Sequence, residues 1–288
     1  MIDSGLRNRS VLITGANNPF GIGAAAAEAF ARQGARLFLH YFRAPNQGLA
    51  PADIPGDVFY RLQQAMSCNE LAARLVAGGT EAHALEADFA DPLAPAALFD
   101  AAESALGPVE VLINNAAAWA SDTFVPAGAP GQNRLVALWT KTTAFSADSF
   151  ARLMSVNAAA PALLMRGFAD RHVRQGRNWG RIVNVSTDAA ACFPSEVSYG
   201  ASKLALESLT RSAASELGQF GITVNAVALG PVQTGWITPD LESALLPRIP
   251  LRRLGTPEDA ADALVFFCSE QARWITGQRI FVGGGHQM

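Results

Sequence analysis

Tyr199 and Lys203 stand four positions apart in Tyr-Gly-Ala-Ser-Lys, at the start of a helix-compatible stretch. Both side chains therefore project from one helical face. A phenol in water keeps its proton up to a pH of about 10. To exchange that proton near neutrality it must fall by roughly 3 units, worth about 4 kcal/mol. An ammonium one turn away works in this direction by favouring phenolate. Ser186 closes an apolar run thirteen positions before Tyr199, where its hydroxyl is able to bond a carbonyl or an alcohol. Proton transfer at an oxygen is the chemistry such a trio can do. Thr187, next to Ser186, reads as structural, and Cys192 reads as a small packing residue because no His accompanies it.

A second cluster opens the chain. An apolar run leads into Thr14-Gly15-Ala16-Asn17-Asn18-Pro19-Phe20-Gly21-Ile22-Gly23, and an Ala-rich helix follows. Glycines allow a sharp turn and a close approach to a pyrophosphate, while the helix start offers unpaired N–H groups. By itself a turn of this kind is also simply a turn. His40-Tyr41-Phe42-Arg43 ends the next run without a carboxylate. An acid there usually accepts from the ribose 2′-hydroxyl of NAD, whereas Arg suits a 2′-phosphate. The missing acid favours NADP, with NAD the alternative, although Arg43 also fits a solvated loop. Asp88 is placed to meet adenine or to cap a helix. Asn114-Asn115-Ala116-Ala117 brings small residues to where backbone could lie against a cofactor, with Asn114 able to stitch strands together.

Elements must carry these residues. Strand-length apolar runs occur at 11–14, 36–41, 82–87, 109–114, 181–186, 222–228 and 279–282. Helix-compatible segments alternate with them at 24–33, 69–77, 96–106, 150–171, 202–219 and 260–269. The alternation predicts an α/β fold, a Rossmann-type doubly wound parallel sheet of seven strands with helices on both faces. Near-continuous apolar strands agree, since both faces of such a sheet are covered. No repeat or long linker divides residues 1–288, so one dinucleotide-binding and catalytic domain is expected. Extended loops interrupt it at 44–67, rich in Pro and Gly, and at 119–147. Loops of this length are usually lids or poorly ordered, and 119–147 reads as a lid shaping a substrate pocket with 233–250.

Composition narrows the partners. Half of the 288 residues are hydrophobic and 16% charged, with a net charge of −3. Nothing there attracts nucleic acid or an anionic membrane; a small-molecule partner is expected. Three scattered cysteines predict no disulfide framework and a reducing compartment. The first apolar run is too short to span a bilayer, so a cytoplasmic location is expected. The four histidines, His40, His83, His172 and His286, show no ligand spacing, and no metal is expected.

Taken jointly, Thr14-Gly15…Gly21-Ile22-Gly23, Asn114-Asn115-Ala116-Ala117, Val156-Asn157, Ser186, Tyr199-x-x-x-Lys203 and Gly230-Pro231-Val232-Gln233-Thr234 come in a distinctive order and spacing. In this the chain resembles the short-chain dehydrogenase/reductase family, and in particular its 3-oxoacyl-carrier-protein-reductase-like branch, from Val11 to Gly285. The resemblance implies a catalytic set of Asn157, Ser186, Tyr199 and Lys203. Tyr199 would be the general acid and Lys203 would lower its pKa and hold the nicotinamide ribose. Ser186 would orient the carbonyl, and Asn157 would anchor a water leading to Lys203. It also implies cofactor contacts from Gly15, Asn17, Gly21, Ile22, Gly23, Arg43, Asp88, Phe89, Asn115, Ala116, Gly230, Val232 and Thr234, besides Tyr199 and Lys203. A homotetramer packed through the 150–171 and 202–219 helices is implied as well.

This chain departs from the family pattern in several places. The glycine turn is two residues longer than is common, Ala117 stands where Gly is usual, and Leu229 precedes Gly230 in place of Pro. The activity expected is an NADP(H)-dependent carbonyl reductase acting on a ketone, such as a 3-oxoacyl thioester. The alternatives are an NAD(P)-dependent dehydrogenase of a secondary alcohol, sugar or steroid and, more distantly, a non-catalytic dinucleotide sensor. An enoyl reductase is disfavoured, because that group spaces its Tyr and Lys by seven positions rather than four.

Overall fold

The computed structural model describes residues 3–45, 48–127, 129, 135–138 and 140–287. Seven strands form one parallel sheet: β1 (Ser10–Thr14), β2 (Arg36–Tyr41), β3 (Ala82–Glu86), β4 (Val111–Asn114), β5 (Gly180–Thr187), β6 (Ile222–Leu229) and β7 (Arg279–Val282). Their spatial order is β3-β2-β1-β4-β5-β6-β7, with every pairing parallel. The order reverses between β1 and β4, which opens a crevice at the strands' carboxyl ends, the usual binding position in such sheets. The expected α/β fold is therefore the one observed.

Alternate strand residues feed two separate cores. Val11, Ile13, Leu37, Leu39, Ile113, Val183 and Val227 pack beneath the helices α1 (Ile22–Arg32) and α9 (Pro257–Cys268). Leu12, Leu112, Ile182 and Val224 pack on the other face against α4 (Ala94–Leu106) and α6 (Ala160–Arg174). The alanines of α1 are small enough to seat that helix tightly; Ala26 and Ala27 are wholly buried. Covering both faces removes apolar surface from water, at about 25 cal/mol per Å².

The remaining helices are α2 (Asp57–Gln64), α3 (Asn69–Ala77), α5 (Ala147–Met154), α7 (Val197–Leu217) and α8 (Pro239–Leu245). A π-helical turn, Ser155–Ala159, joins α5 to α6, so the segment expected at 150–171 is one longer, interrupted helix. Helix α7 begins at Val197, ahead of the expected 202. Helix α2 lies inside the 44–67 loop, and α8 was not expected. Thr238 starts α8, its hydroxyl accepting from the Leu241 amide with Pro239 next to it, a legible cap signal. In the 119–147 loop, Asp122–Thr123 pairs with Thr143–Ala144 as a short parallel ladder; residues 128, 130–134 and 139 of that loop lie outside the described set. All three cysteines are free. Among the described residues no helix is long and apolar enough to cross a membrane.

Candidate active site

Helix α7 lies against β5 and carries Tyr199 and Lys203 to the sheet's carboxyl edge. The Lys203 ammonium sits 5.7 Å from the centre of the Tyr199 ring and donates to the Val185 carbonyl at 2.8 Å. Only 2% of Lys203 is exposed. Burial brings its pKa down to about 8, against the restoring charge of Glu207. Burial acts oppositely on Tyr199, raising the phenol above its ordinary value, and Glu196, Tyr60 and Asp188 push the same way. This corrects the expectation that the ammonium dominates. A desolvated phenol among acidic neighbours keeps its proton.

Asn157 lies in the π turn, fully buried. Its amide donates to the Ala118 carbonyl (2.8 Å) and to the Ser202 hydroxyl (2.9 Å), and its oxygen accepts from the Ala118 amide (2.7 Å). The side chain is thus engaged inside the protein, gripping the segment that continues β4 and bracing α7 one residue before Lys203.

Ser186 is not directed at Tyr199. Its hydroxyl donates to Glu207 Oε1 at 2.6 Å, and Glu207 lies eight positions beyond Tyr199 on α7, about 12 Å along the helix axis. Glu207 is buried and also paired with Arg279 Nε at 2.8 Å. The strand phase explains this: Asn184 and Ser186 share a face, and Asn184 donates to Thr210 on the same helix. Thr187 is the last residue of β5, half-buried, and its hydroxyl has no hydrogen-bond partner among the described residues.

At the crevice, α1 begins after Gly21 with no side-chain cap and no acidic residue in its first turn. Those amides can receive an anion. Gly15 has φ +74°, and a Cβ there would lie 2.7 Å from the Ala116 Cα; one on Gly23 would lie 2.2 Å from the Gly15 carbonyl oxygen. The protein's own backbone requires both glycines. Asn115 donates to the Thr14 and Gly15 carbonyls, each at 2.9 Å, and Asn114 bonds Asn184 across the sheet at 2.8 Å. The longer glycine turn has a use: Asn17 donates to the carbonyls of Phe42, Gln64 and Met66, and Asn18 donates to that of Thr234 at 3.0 Å. Val232 bridges to Gly255, and Gly230 packs against Gly283.

At the adenosine end, Asp88 accepts from the Ala90 amide at 2.9 Å. Phe89 stacks on His40 with ring centres 4.0 Å apart. Arg43 grips Glu86, with Nε 3.0 and 2.9 Å from the two carboxylate oxygens and Nη2 2.7 Å from Oε2. The acid missing from the end of β2 is thus supplied by β3, whose register sets Glu86 beside Tyr41.

Both long loops reach the site. Gly56 donates to the Gly235 carbonyl at 2.9 Å and Phe59 packs on Phe20, so α2 rests between the glycine turn and the segment after β6. From the other loop, Trp119 donates to Glu196 at 2.5 Å, Ser121 to the Ser195 carbonyl at 3.0 Å, and Asp122 holds the Ser198 amide at 2.9 Å. Thr238 donates to the Leu138 carbonyl, and Leu135 packs on the Ile237, Leu241 and Leu245 cluster.

The enoyl-(acyl carrier protein) reductase family profile matches residues 56–287. A short-chain type dehydrogenase/reductase from Picea abies is 33% identical over 286 residues, covering 97% of this chain and 93% of that one. The chain belongs to the short-chain dehydrogenase/reductase family. An L-rhamnose 1-dehydrogenase (NAD(P)(+)) from Azotobacter vinelandii is 31% identical over 285 residues, 97% of each chain. Among solved structures, a blue fluorescent protein from a metagenomic library in complex with NADPH superposes with a TM-score of 0.77 at 28% identity, over 98% of this chain and 99% of that one. This member of the short-chain dehydrogenase/reductase family is accordingly an NAD(P)-dependent oxidoreductase. Glu196 and Tyr60, which act on Tyr199, and Thr187, which follows Ser186 at the end of β5, are neighbours that the sequence pattern did not put in the site. A signal existed for Thr187 in the alternation of Asn184 and Ser186.

Proposed function

We propose that the protein is a carbonyl reductase that interconverts a ketone and a secondary alcohol with NADP(H). The observation that carries this is the placement of the Tyr199 ring 5.7 Å from a Lys203 ammonium fixed on the Val185 carbonyl, together with the uncapped start of α1. A bound nicotinamide dinucleotide supplies the hydride that the carbonyl carbon receives. As the oxygen gains charge, Tyr199 gives it the phenolic proton. Lys203 stabilises the phenolate left behind. Asn157 is a positioning residue, bracing both Ala118 and Ser202. We assign the hydroxyl that orients the carbonyl to Thr187, because that of Ser186 is engaged by Glu207.

The start of α1, from Ile22, would hold the pyrophosphate, with Asp88 and Phe89 at adenine and Gly230, Val232 and Thr234 toward the nicotinamide. Arg43 is the 2′-phosphate residue in this reading, and the Glu86 carboxylate beside it moderates the preference over NAD. The structural neighbour in complex with NADPH supports that choice. Oxidation of a secondary alcohol is the reverse of the same reaction, and the relative named for L-rhamnose keeps it as the second reading. Leu163 and Leu204, 39% and 42% exposed on α6 and α7, support a tetramer through those helices. Incubating the protein with NADPH and a panel of activated ketones tests the proposal. Loss of NADPH absorbance with a stoichiometric alcohol product is expected, and tight NADPH binding without turnover on any ketone would make it a sensor instead.

A further inference from the structure

Glu196 neither gives nor takes the transferred proton, yet it is only 8% exposed and immediately precedes α7. Its side chain makes no cap hydrogen bond to that helix. Oε2 accepts from the Trp119 indole at 2.5 Å, while Oε1 has no partner among the described residues. Nearby Asp122 differs: one oxygen holds the Ser198 amide and the other the Ser198 hydroxyl. Asp122 is a satisfied structural acid, and Glu196 is half satisfied.

Position makes the difference useful. Glu196 is the N-cap of α7, its carbonyl accepting from the Gly200 amide at 2.9 Å, and it stands three residues before Tyr199 at the same end of the helix. Trp119 follows Ala118, whose amide and carbonyl are both held by Asn157. The Glu196–Trp119 pair is therefore fixed from both sides, by α7 and by the residue that braces the catalytic helix. Such support is what a recognition site needs to hold its geometry.

We propose that Glu196 and Trp119 form a polar subsite that takes a hydroxyl group of the substrate, carried next to the reacting carbon. The substrate class is then a hydroxylated carbonyl compound or its polyol, a small sugar or α-hydroxyketone, rather than a plain 3-oxoacyl chain. The inference rests on the carbonyl-reductase reading and deepens it. Burial lifts the Glu196 carboxyl to about 7, opposed by the Trp119 bond and helped by Asp122. Near neutrality it can both donate and accept, as a hydroxyl does. An alkyl chain in the same place would leave the second oxygen buried and unpaired, the penalty by which polar sites reject analogues that lack the bonding group.

Acetoin and 2-butanone, which share a carbon skeleton and differ by one hydroxyl, separate the possibilities. Their kcat and KM with NADPH are measured for the unmodified protein, Glu196→Gln and Glu196→Ala, with NADPH binding as the check that each variant is folded. The unmodified protein is expected to favour acetoin by about tenfold or more in kcat/KM. Glu196→Ala should abolish most of that ratio through a raised KM for acetoin, and Glu196→Gln should retain part of it. Any common effect of the lost charge on Tyr199 cancels in the ratio. An unmodified protein that reduces both ketones without preference, or variants that keep the preference intact, would overturn the subsite while leaving the reductase reading in place. Absence of turnover on both ketones and on the rest of the ketone panel, despite NADPH binding, would overturn that reading, and the subsite with it.

Discussion

Thr187 and Ser186 make opposite predictions although they are neighbours. Thr187→Val removes a hydroxyl but keeps the side-chain shape, and on this account it removes the donor aimed at the carbonyl oxygen. Loss of one such donor typically lowers kcat by ~10²–10³-fold, or about 3 to 4 kcal/mol of transition-state stabilisation. Since the Thr187 hydroxyl has no partner among the described residues, stability should hardly change. Ser186→Ala breaks the 2.6 Å bond to Glu207, a buried carboxylate left with Arg279 as partner. Depriving a buried group of a bond costs about 1–3 kcal/mol, so the denaturation midpoint should fall while kcat stays near that of the unmodified protein. Single-turnover reduction rates and urea unfolding of the two variants decide the matter. A large rate loss in Ser186→Ala, with Thr187→Val still active, would refute the assignment.

Three other outcomes follow from the site. Burial lowers the pKa of His40 from 6.5 to about 4, so His40 stays neutral in the fold while the unfolded chain takes up a proton. Its contribution is complete above pH 6.5 and is lost as pH falls toward 4, roughly 3 kcal/mol in all; urea midpoints across that window should drop, and less steeply in His40→Gln. Arg43→Ala should raise KM for NADPH more than for NADH, whereas Glu86→Gln should lower KM for NADPH by removing a like charge from the 2′-phosphate; equal shifts for both cofactors would count against Arg43. Asn17→Ala removes the three contacts that tie the glycine turn to the 42–66 segment, and is expected to weaken NADPH binding, read by fluorescence titration, with little change in kcat.

The strands were legible because a sheet covered on both faces writes itself as short unbroken apolar runs, such as Val11 to Ile13. Tyr199 and Lys203 were legible because helical spacing alone brings them to one face. Other features depend on information that spacing does not hold. Helix α2 buries none of its residues fully and sits among prolines and glycines, so no apolar period marks it. Glu86 reaches Arg43 only because β3 lies beside β2, a fact of sheet order. The direction of the Tyr199 shift depends on burial and on Glu196, Tyr60 and Asp188 around it, and Tyr60 comes from a distant loop. Ser186 was the natural choice by residue type, but its strand phase turns it toward Glu207.

The central claim is that the phenol of Tyr199 delivers the proton as hydride reaches the carbonyl carbon. The most direct measurement is the single-turnover rate of ketone reduction by Tyr199→Phe, paired with its dissociation constant for NADPH. A loss of ~10²–10⁴-fold in rate with NADPH binding preserved is predicted. Reduction at the unmodified protein's rate by a folded, NADPH-binding Tyr199→Phe would contradict the account.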